Sequence, residues 1–452
     1  MARLFGTDGV RGLANRVLNA ELVLKLSQAA AIVLTQKNTK RQRALVGRDT
    51  RLSGEFLSAA TAAGLASAGI DVIDVGVITT PGVAYLTSKL NVDMGVVLSA
   101  SHNPYYDNGI KFIDKSGFKL ADTLEDKIAK QLQRPANLPI NDQIGKISFD
   151  SNKGVENYIE HLLACASSLD VHPLKGLKIV VDPGNGAASA VAPTALRQAG
   201  AEVITINDSP DGLNINFESG STHPEAMQAV TKAARADMGV AFDGDADRCI
   251  ACDSEGNLVN GDQIMGILAL SKKGRGTLKN DTLVLTVMSN LGLLQALDKF
   301  QIKYVITQVG DRYVLEKMLA DGFNLGGEQS GHIINLDYST TGDGILSALM
   351  LARELNLQKK SLAQLADPFP QLPQVLINIS DVDKSAIDSN KNVQIKLKQV
   401  QDWLSDSGRI LLRPSGTEPL VRVMVEAPTY EQAKASAETM AQTIKKELGS
   451  RN

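Results

Sequence analysis

In the stretch VVLSASHNPYYDNGIKF, Val96 to Phe112, a hydroxyl at Ser101, an imidazole at His102 and an ammonium at Lys111 follow directly on an apolar β-branched run. These are the parts of a nucleophile with its proton-transfer groups. Val96, Val97 and Leu98 read as the end of a buried strand, and the small residues Ser99, Ala100 and Ser101 let the chain turn where open α/β sheets place ligands. The bland alternative is a polar turn with an N-terminal cap.

Three further loops carry chemistry. In DGDADR, Asp243, Asp245 and Asp247 alternate after an apolar run, a spacing that can converge oxygens on a hard cation; a Mg²⁺ site typically combines a few carboxylates with a phosphate oxygen. An EF-hand does not fit, because Arg248 stands where its loop needs Gly and Ser254 where it needs Glu. A phosphatase-type nucleophilic Asp and a solvated acidic turn are the competing readings. RPSGTEP gathers the Arg413 guanidinium, the Ser415 and Thr417 hydroxyls and Gly416, the composition of an anion clamp, although a plain Pro/Gly turn has the same look. GGEQSGH sets Glu328, Gln329 and Ser330 between glycines and ahead of His332, suited to sugar hydroxyls.

Other candidates fall away. DPGNG at Asp182 has Ser189 and Pro183 where a dinucleotide fingerprint would not, so it reads as a strand-to-helix turn. A Walker-type Gly-Lys-Ser/Thr loop is missing, which argues against a nucleotide phosphoryl donor. His161, His172 and His223 lack ligand spacing.

These loops need a scaffold, and 452 residues are too many for one core. Lys plus Arg number 47 against 50 for Asp plus Glu, giving −3 with no long run of either sign, which speaks against nucleic-acid or membrane-surface partners. Cys165, Cys249 and Cys252 suit reduced thiols rather than a disulfide framework or a zinc site. With no apolar leader and no run long enough to span a bilayer, the expected location is the cytoplasm.

Helical spacing of Leu22, Leu26, Ala29, Ala30 and Val33 predicts a helix over Ala20 to Leu34. Strand-like runs follow at Ala44 to Val46, Val72 to Val75 and Met94 to Leu98. The order recurs at Leu177 to Val181, Glu202 to Ile206 and Met238 to Phe242, and more faintly at Thr282 to Val287, Lys303 to Ile306 and Phe323 to Leu325. The third strands of the first two copies open alike, Asp93-Met94-Gly95-Val96 and Asp237-Met238-Gly239-Val240, which sets Ser101 opposite Asp245. Each unit is a βαβαβ layer sending one polar loop from its third strand. The prolines of LADPFPQLPQ read as a linker. Beyond it, strands at Val375 to Ile379, Arg409 to Leu412 and Leu420 to Val425 join helices at Val393 to Trp403 and from Thr429 to Gly449 in a small α+β domain.

With GTDGVRG at Gly6, GRDTR at Gly47, SASHNP at Ser99, DGDADR at Asp243, GEQSGH at Gly327 and RPSGTEP at Arg413 in this order, essentially the whole chain resembles the α-D-phosphohexomutase superfamily. The resemblance implies an α/β protein of four domains, the first three sharing the repeated βαβαβ topology with mixed sheets and the fourth a smaller α+β domain. The expected boundaries are 1–155 for the phosphoserine domain, 156–256 for metal, 257–367 for sugar and 368–452 for phosphate. It also implies that Ser101 is a phosphoserine that holds one Mg²⁺ per active site with Asp243, Asp245 and Asp247. Glu328, Ser330 and His332 look like substrate contacts, and Arg413, Ser415, Gly416 and Thr417 like the clamp for the substrate's other phosphate. Arg11, His102, Lys111, Arg248 and His332 are similar to residues near the transferring phosphoryl group, with Lys111 the first candidate for general acid/base. The implied reaction is isomerisation of a small-molecule phosphosugar through a hexosamine 1,6-bisphosphate intermediate and activator. Glu328-Gln329-Ser330, the SASHNP form of the serine loop and NINFESGSTHPE at Asn214 to Glu225 look like the branch converting glucosamine 6-phosphate to glucosamine 1-phosphate, ahead of UDP-N-acetylglucosamine and peptidoglycan precursors; the glucose and mannose branches are the alternative. The family admits a homodimer.

Overall fold

Runs of buried Val, Ile and Leu make the central strands, because a strand covered on both faces by helices has no solvent side to serve. The computed structural model describes residues 3–6, 8–34, 41–167, 171–414 and 420–449. Contacts divide the chain into two units, Met1–Met288 with Gln301–Pro368, and Ser289–Phe300 with Phe369–Asn452.

The first unit holds three sheets built on one plan. In the first, Arg43–Arg48 is central, parallel Asp71–Val77 lies on one side and parallel Met94–Leu98 on the other, and Met94–Leu98 turns back into antiparallel Asp107–Asp114. The second repeats this with Lys178–Asp182, Glu202–Thr205, Met238–Phe242 and Cys249–Asp253. The third does so with Thr282–Thr286, Lys303–Thr307, Leu325–Gly327 and Ile333–Asn335. The expected βαβαβ unit therefore carries a fourth, antiparallel strand in every copy. Each polar loop is the turn between strands three and four.

The recurring Asp-Met-Gly-Val has a physical cause. Asp93 accepts from Arg43 N at 2.9 Å and Asp237 from Lys178 N at 2.7 Å, so each carboxylate pins the start of its sheet's central strand. A Cβ on Gly95 would lie 2.3 Å from Thr87 Oγ1, and one on Gly239 2.3 Å from Thr231 Oγ1. The same helix–strand approach demands glycine twice.

Two expectations need correction. The third strand of the third copy is Leu325–Gly327 rather than Phe323 to Leu325. Gly326 and Gly327 read as loop, yet a Cβ on Gly326 would meet Met318 Sδ and Val284 O at 2.8 Å, so packing puts glycine inside this strand. LADPFPQLPQ is not wholly a linker either. Leu365 and Ala366 end the helix Leu362–Ala366, which a Ser361–Gln364 capping box starts, and Phe369 is fully buried. The helix Ala20–Leu34 and the strands Met94–Leu98 and Met238–Phe242 lie where the pattern sets them.

In the second unit, Gln374–Ser380, Leu420–Glu426 and Arg409–Pro414 form an antiparallel sheet against helices Lys391–Leu404 and Tyr430–Leu448. Thr429 caps the last helix through Gln432 N. Helix Leu291–Lys299 joins this unit: Leu291 N donates to Glu426 at 2.8 Å, and the Asn290 amide holds both backbone groups of Leu372. All three cysteines are free and buried. Among the described residues, no helix is long and apolar enough to cross a membrane.

Back in the first unit, Asp343 caps the buried helix Gly344–Gln358, accepting from Leu346 N at 2.9 Å and Tyr158 Oη at 2.8 Å. Burial pushes its carboxyl from 3.8 up to about 6, against the pull of these donors. The folded chain holds that proton more tightly than the unfolded one, so this group's contribution to stability falls as pH rises through that window and stays flat above it. Asp343→Asn keeps a capping oxygen and does not titrate. Denaturant unfolding should show wild type losing roughly 2–3 kcal/mol relative to the variant between about pH 4 and pH 7; a pH-independent difference would contradict this.

Candidate active site

Ser101 takes φ +52°, the left-handed region that costs a non-glycine residue energy. The turn aims its hydroxyl out of the sheet: Oγ donates to Asp243 Oδ2 at 2.6 Å and lies 3.3 Å from His102 Nδ1. Ser99 Oγ accepts from Ser101 N at 2.9 Å and closes the turn.

Asp243, Asp245 and Asp247 come together as their alternation implies. Their ligand atoms all lie within 4.8 Å of one another, and all three residues are buried. Burial, then repulsion from Asp247 and Asp245, pushes the Asp243 carboxyl well above the usual range. Asp245 Oδ1 and Asp247 Oδ1 are buried without a hydrogen-bond partner. Orphaned acceptors on a self-repelling carboxylate set fit a divalent cation, which would relieve both defects.

Cations surround the triplet. Lys111 Nζ contacts Asp245 at 2.9 Å and Asp8 at 2.8 Å; burial opposes its charge, but these two carboxylates outweigh burial and raise its pKa. His332 Nδ1 is 3.4 Å from Asp247, and its Nε2 lies 3.2 Å from Gly342 N. Burial works against protonating His332, yet Asp247 and Asp311 prevail and raise its pKa. Burial, Arg248 and Arg11 together lower the His102 imidazole to about 4, so at neutral pH it carries no charge.

Arg11 lies on Val10–Leu13, which pairs with the Lys111 strand, and bonds Asp8. Arg11 Nε and Arg248 Nε are buried without a hydrogen-bond partner. Both guanidinium groups act on the imidazole of His102, the residue after Ser101, and Arg248 Nε lies 3.9 Å from Asp247 Oδ1. In the third loop, Glu328 Oε1 accepts from Gly310 N at 3.0 Å, Ser330 is exposed, and Gly331 O accepts from Cys249 N at 3.1 Å, tying this loop to DGDADR.

Arg413 lies in the second unit, half-buried near the end of Arg409–Pro414. Ser415, Gly416 and Thr417 lie outside the described residues. Residues that sequence reasoning missed are Asp8, Thr80, Lys119 and Asp311. Thr80 Oγ1 donates to Asp245 at 2.6 Å, while Lys119 pairs with Asp8 at 2.8 Å and also with Asp311. Asp8 stands inside GTDGVRG, where an acid next to Arg11 was a signal; Thr80, Lys119 and Asp311 stand in no motif.

Phosphoglucomutase/phosphomannomutase family models match four successive stretches: alpha/beta/alpha domain I at residues 2–138, domain II at 156–256, domain III at 260–372 and the C-terminal domain at 376–443. A protein named phosphoglucosamine mutase from Bifidobacterium animalis subsp. lactis is 59% identical over 452 residues, covering 99% of this chain and 100% of that one. One of the same name from Thermobifida fusca is 53% identical over 450 residues, with 99% of each covered. The crystal structure of a phosphoglucomutase/phosphomannomutase family protein from Burkholderia thailandensis superposes with a TM-score of 0.80 at 25% identity, over 98% of this chain and 97% of that one.

If the triplet binds a divalent cation, thermal unfolding must depend on it. Mg²⁺ at about a hundred times its Kd should stabilise the wild type by about 2.7 kcal/mol. Asp247→Asn should lose most of that shift, and an undiminished shift would place the ion elsewhere.

Proposed function

The chain belongs to the phosphoglucomutase/phosphomannomutase family, and from that premise we propose that it interconverts glucosamine 6-phosphate and glucosamine 1-phosphate through a phosphorylated Ser101. It is a mutase, as its relatives' shared name indicates. That name also favours glucosamine as the sugar. The observation that carries the mechanism is the Ser101 hydroxyl held 2.6 Å from Asp243, beside open Arg11 and Arg248 donors.

Phosphoserine 101 loses its P–O bond to the serine as the substrate's anomeric hydroxyl forms a new one, giving glucosamine 1,6-bisphosphate. The bisphosphate reorients, and its 6-phosphoryl group passes to Ser101 Oγ, leaving glucosamine 1-phosphate and a rephosphorylated enzyme. Arg11 and Arg248 hold the oxygens of the moving group, whose charge is what phosphoryl transfer chiefly needs stabilised. Lys111, our candidate for proton transfer, enters as an ammonium fixed between Asp8 and Asp245; it gives a proton to the departing serine oxygen, and the proton lost by the anomeric hydroxyl restores it. Asp243, Asp245, Asp247 and Ser101 would hold Mg²⁺, which supplies charge neutralisation at phosphoryl oxygens. Glu328, Ser330 and His332 take the sugar, and Arg413, Ser415, Gly416 and Thr417 are assigned the phosphate that is not reacting. The product suits UDP-N-acetylglucosamine synthesis.

Glucosamine 1-phosphate formation, assayed beside glucose and mannose phosphates, tests both halves. Wild type should favour glucosamine, and Ser101→Ala should lose at least about a thousandfold in kcat, as loss of a nucleophile does elsewhere. Equal turnover by the variant would refute the phosphoserine; a preference for glucose or mannose phosphate would refute the substrate. Free phosphate released as fast as substrate disappears would make it a phosphatase.

A further inference from the structure

Ser101 must present Oγ in one direction for two opposite transfers, yet its left-handed φ is a conformation a serine does not hold unaided. Something outside the loop has to impose it. Two side chains do, and neither touches the hydroxyl.

The first is Arg51, fully buried in the turn after Arg43–Arg48. Its guanidinium donates to Ser101 O at 2.8 Å, to Asn103 O at 2.8 Å and to Pro104 O. Its own position is fixed by Asp49, which accepts from Nε at 2.9 Å and from Arg51 N at 3.0 Å. The second is Asn216, from the second copy of the repeat. Its Nδ2 donates to Ser101 O at 2.9 Å and to Asn103 O at 3.1 Å, so both donors grip the same two carbonyls. Asn216 is itself left-handed at φ +58°, and its N donates to Gly184 O at 2.9 Å.

The grip extends to the carboxylates. A Cβ on Gly244, between Asp243 and Asp245, would lie 2.6 Å from Ser101 O and 2.9 Å from Asn216 Nδ2. DGDADR therefore rests directly on the carbonyl and amide that hold the serine turn. Beside it, Thr50 Oγ1 donates to Asn185 O at 2.6 Å and Leu52 N to Gly212 O at 2.9 Å, so the chain on both sides of Arg51 is bound to the second copy of the repeat.

We propose that Arg51 and Asn216 are positioning residues that clamp the Ser101 and Asn103 carbonyls, and so fix the aim of Ser101 Oγ at the transferring phosphoryl group. The clamp rests on the phosphoserine reading given above. It joins two modules: GRDTR supplies one jaw and NINFESGSTHPE the other, which gives both motifs a mechanical role.

Removing one jaw leaves the reacting groups in place but loosens the angle of attack, and a misplacement of about 1 Å costs on the order of a hundredfold in rate. Arg51 is fully buried, and its loss can unfold the loop, so Asn216→Ala is the primary variant and Arg51→Lys the second. Purified protein, stripped of phosphate, is mixed with glucose 1,6-bisphosphate and Mg²⁺, and phosphate on Ser101 is followed in a single turnover. Asn216→Ala should reach the wild-type stoichiometry about 10- to 100-fold more slowly, with KM for glucosamine 6-phosphate unchanged. Arg51→Lys, which keeps the charge but loses the fork, should also be slow. Wild-type rates in Asn216→Ala, or a loss confined to stoichiometry that tracks a fall in Tm, would overturn the clamp. Failure of the wild type itself to take phosphate on Ser101 would instead overturn the phosphoserine reading.

Discussion

Asp243, Asp245 and Asp247 are buried with ligand atoms within 4.8 Å, and each pair of charges at that spacing repels by about 3–4 kcal/mol at an effective dielectric of about 20. A single hydrogen bond returns only about 1 kcal/mol. The site therefore depends on positive charge arriving from elsewhere, and its neighbours are arranged to bring it. Lys111 meets Asp245, His332 faces Asp247, and the Ser101 hydroxyl satisfies Asp243. Asp8 and Asp311 then balance Lys111, Lys119 and Arg11. Burial alone would raise the Asp8 carboxyl, but Lys111, Lys119 and Arg11 hold it well below the usual range.

The sheet plan makes this convergence possible. Three copies of one topology place the turn between their third and fourth strands in the same position, and the first unit gathers all three turns. Each brings a different chemistry: a hydroxyl, a carboxylate set and the Glu328, Gln329 and Ser330 side chains. Backbone bonds tie the carboxylate turn to the first copy, where Thr80 N donates to Asp245 O at 3.0 Å, and to the third, where Gly331 O accepts from Cys249 N at 3.1 Å.

Much of this was legible because local pattern and tertiary role agree. Met238–Phe242 is apolar and continuous since both its faces are buried, and Asp243, Asp245 and Asp247 alternate since a tight turn brings alternate side chains together. The fourth strand of the first copy was hidden because residues such as Asn108 and Lys111 are polar yet buried in a sheet. Gly326 and Gly327 looked like a loop because their reason, contact with Met318 and Val284, lies far away in sequence. Thr80, Lys119 and Asp311 were invisible for the same cause. A buried ion pair between distant segments leaves no spacing to read.

On the proposed mechanism, the gathered loops serve a phosphoryl group travelling between Ser101 and a sugar. The most direct measurement is the fate of labelled phosphate. Protein labelled from a radioactive hexose bisphosphate is mapped by peptide and then chased with unlabelled glucosamine 6-phosphate. The account predicts label on Ser101 alone, transferred on chasing to sugar phosphate. Label on another residue, or label leaving Ser101 as inorganic phosphate, would contradict it.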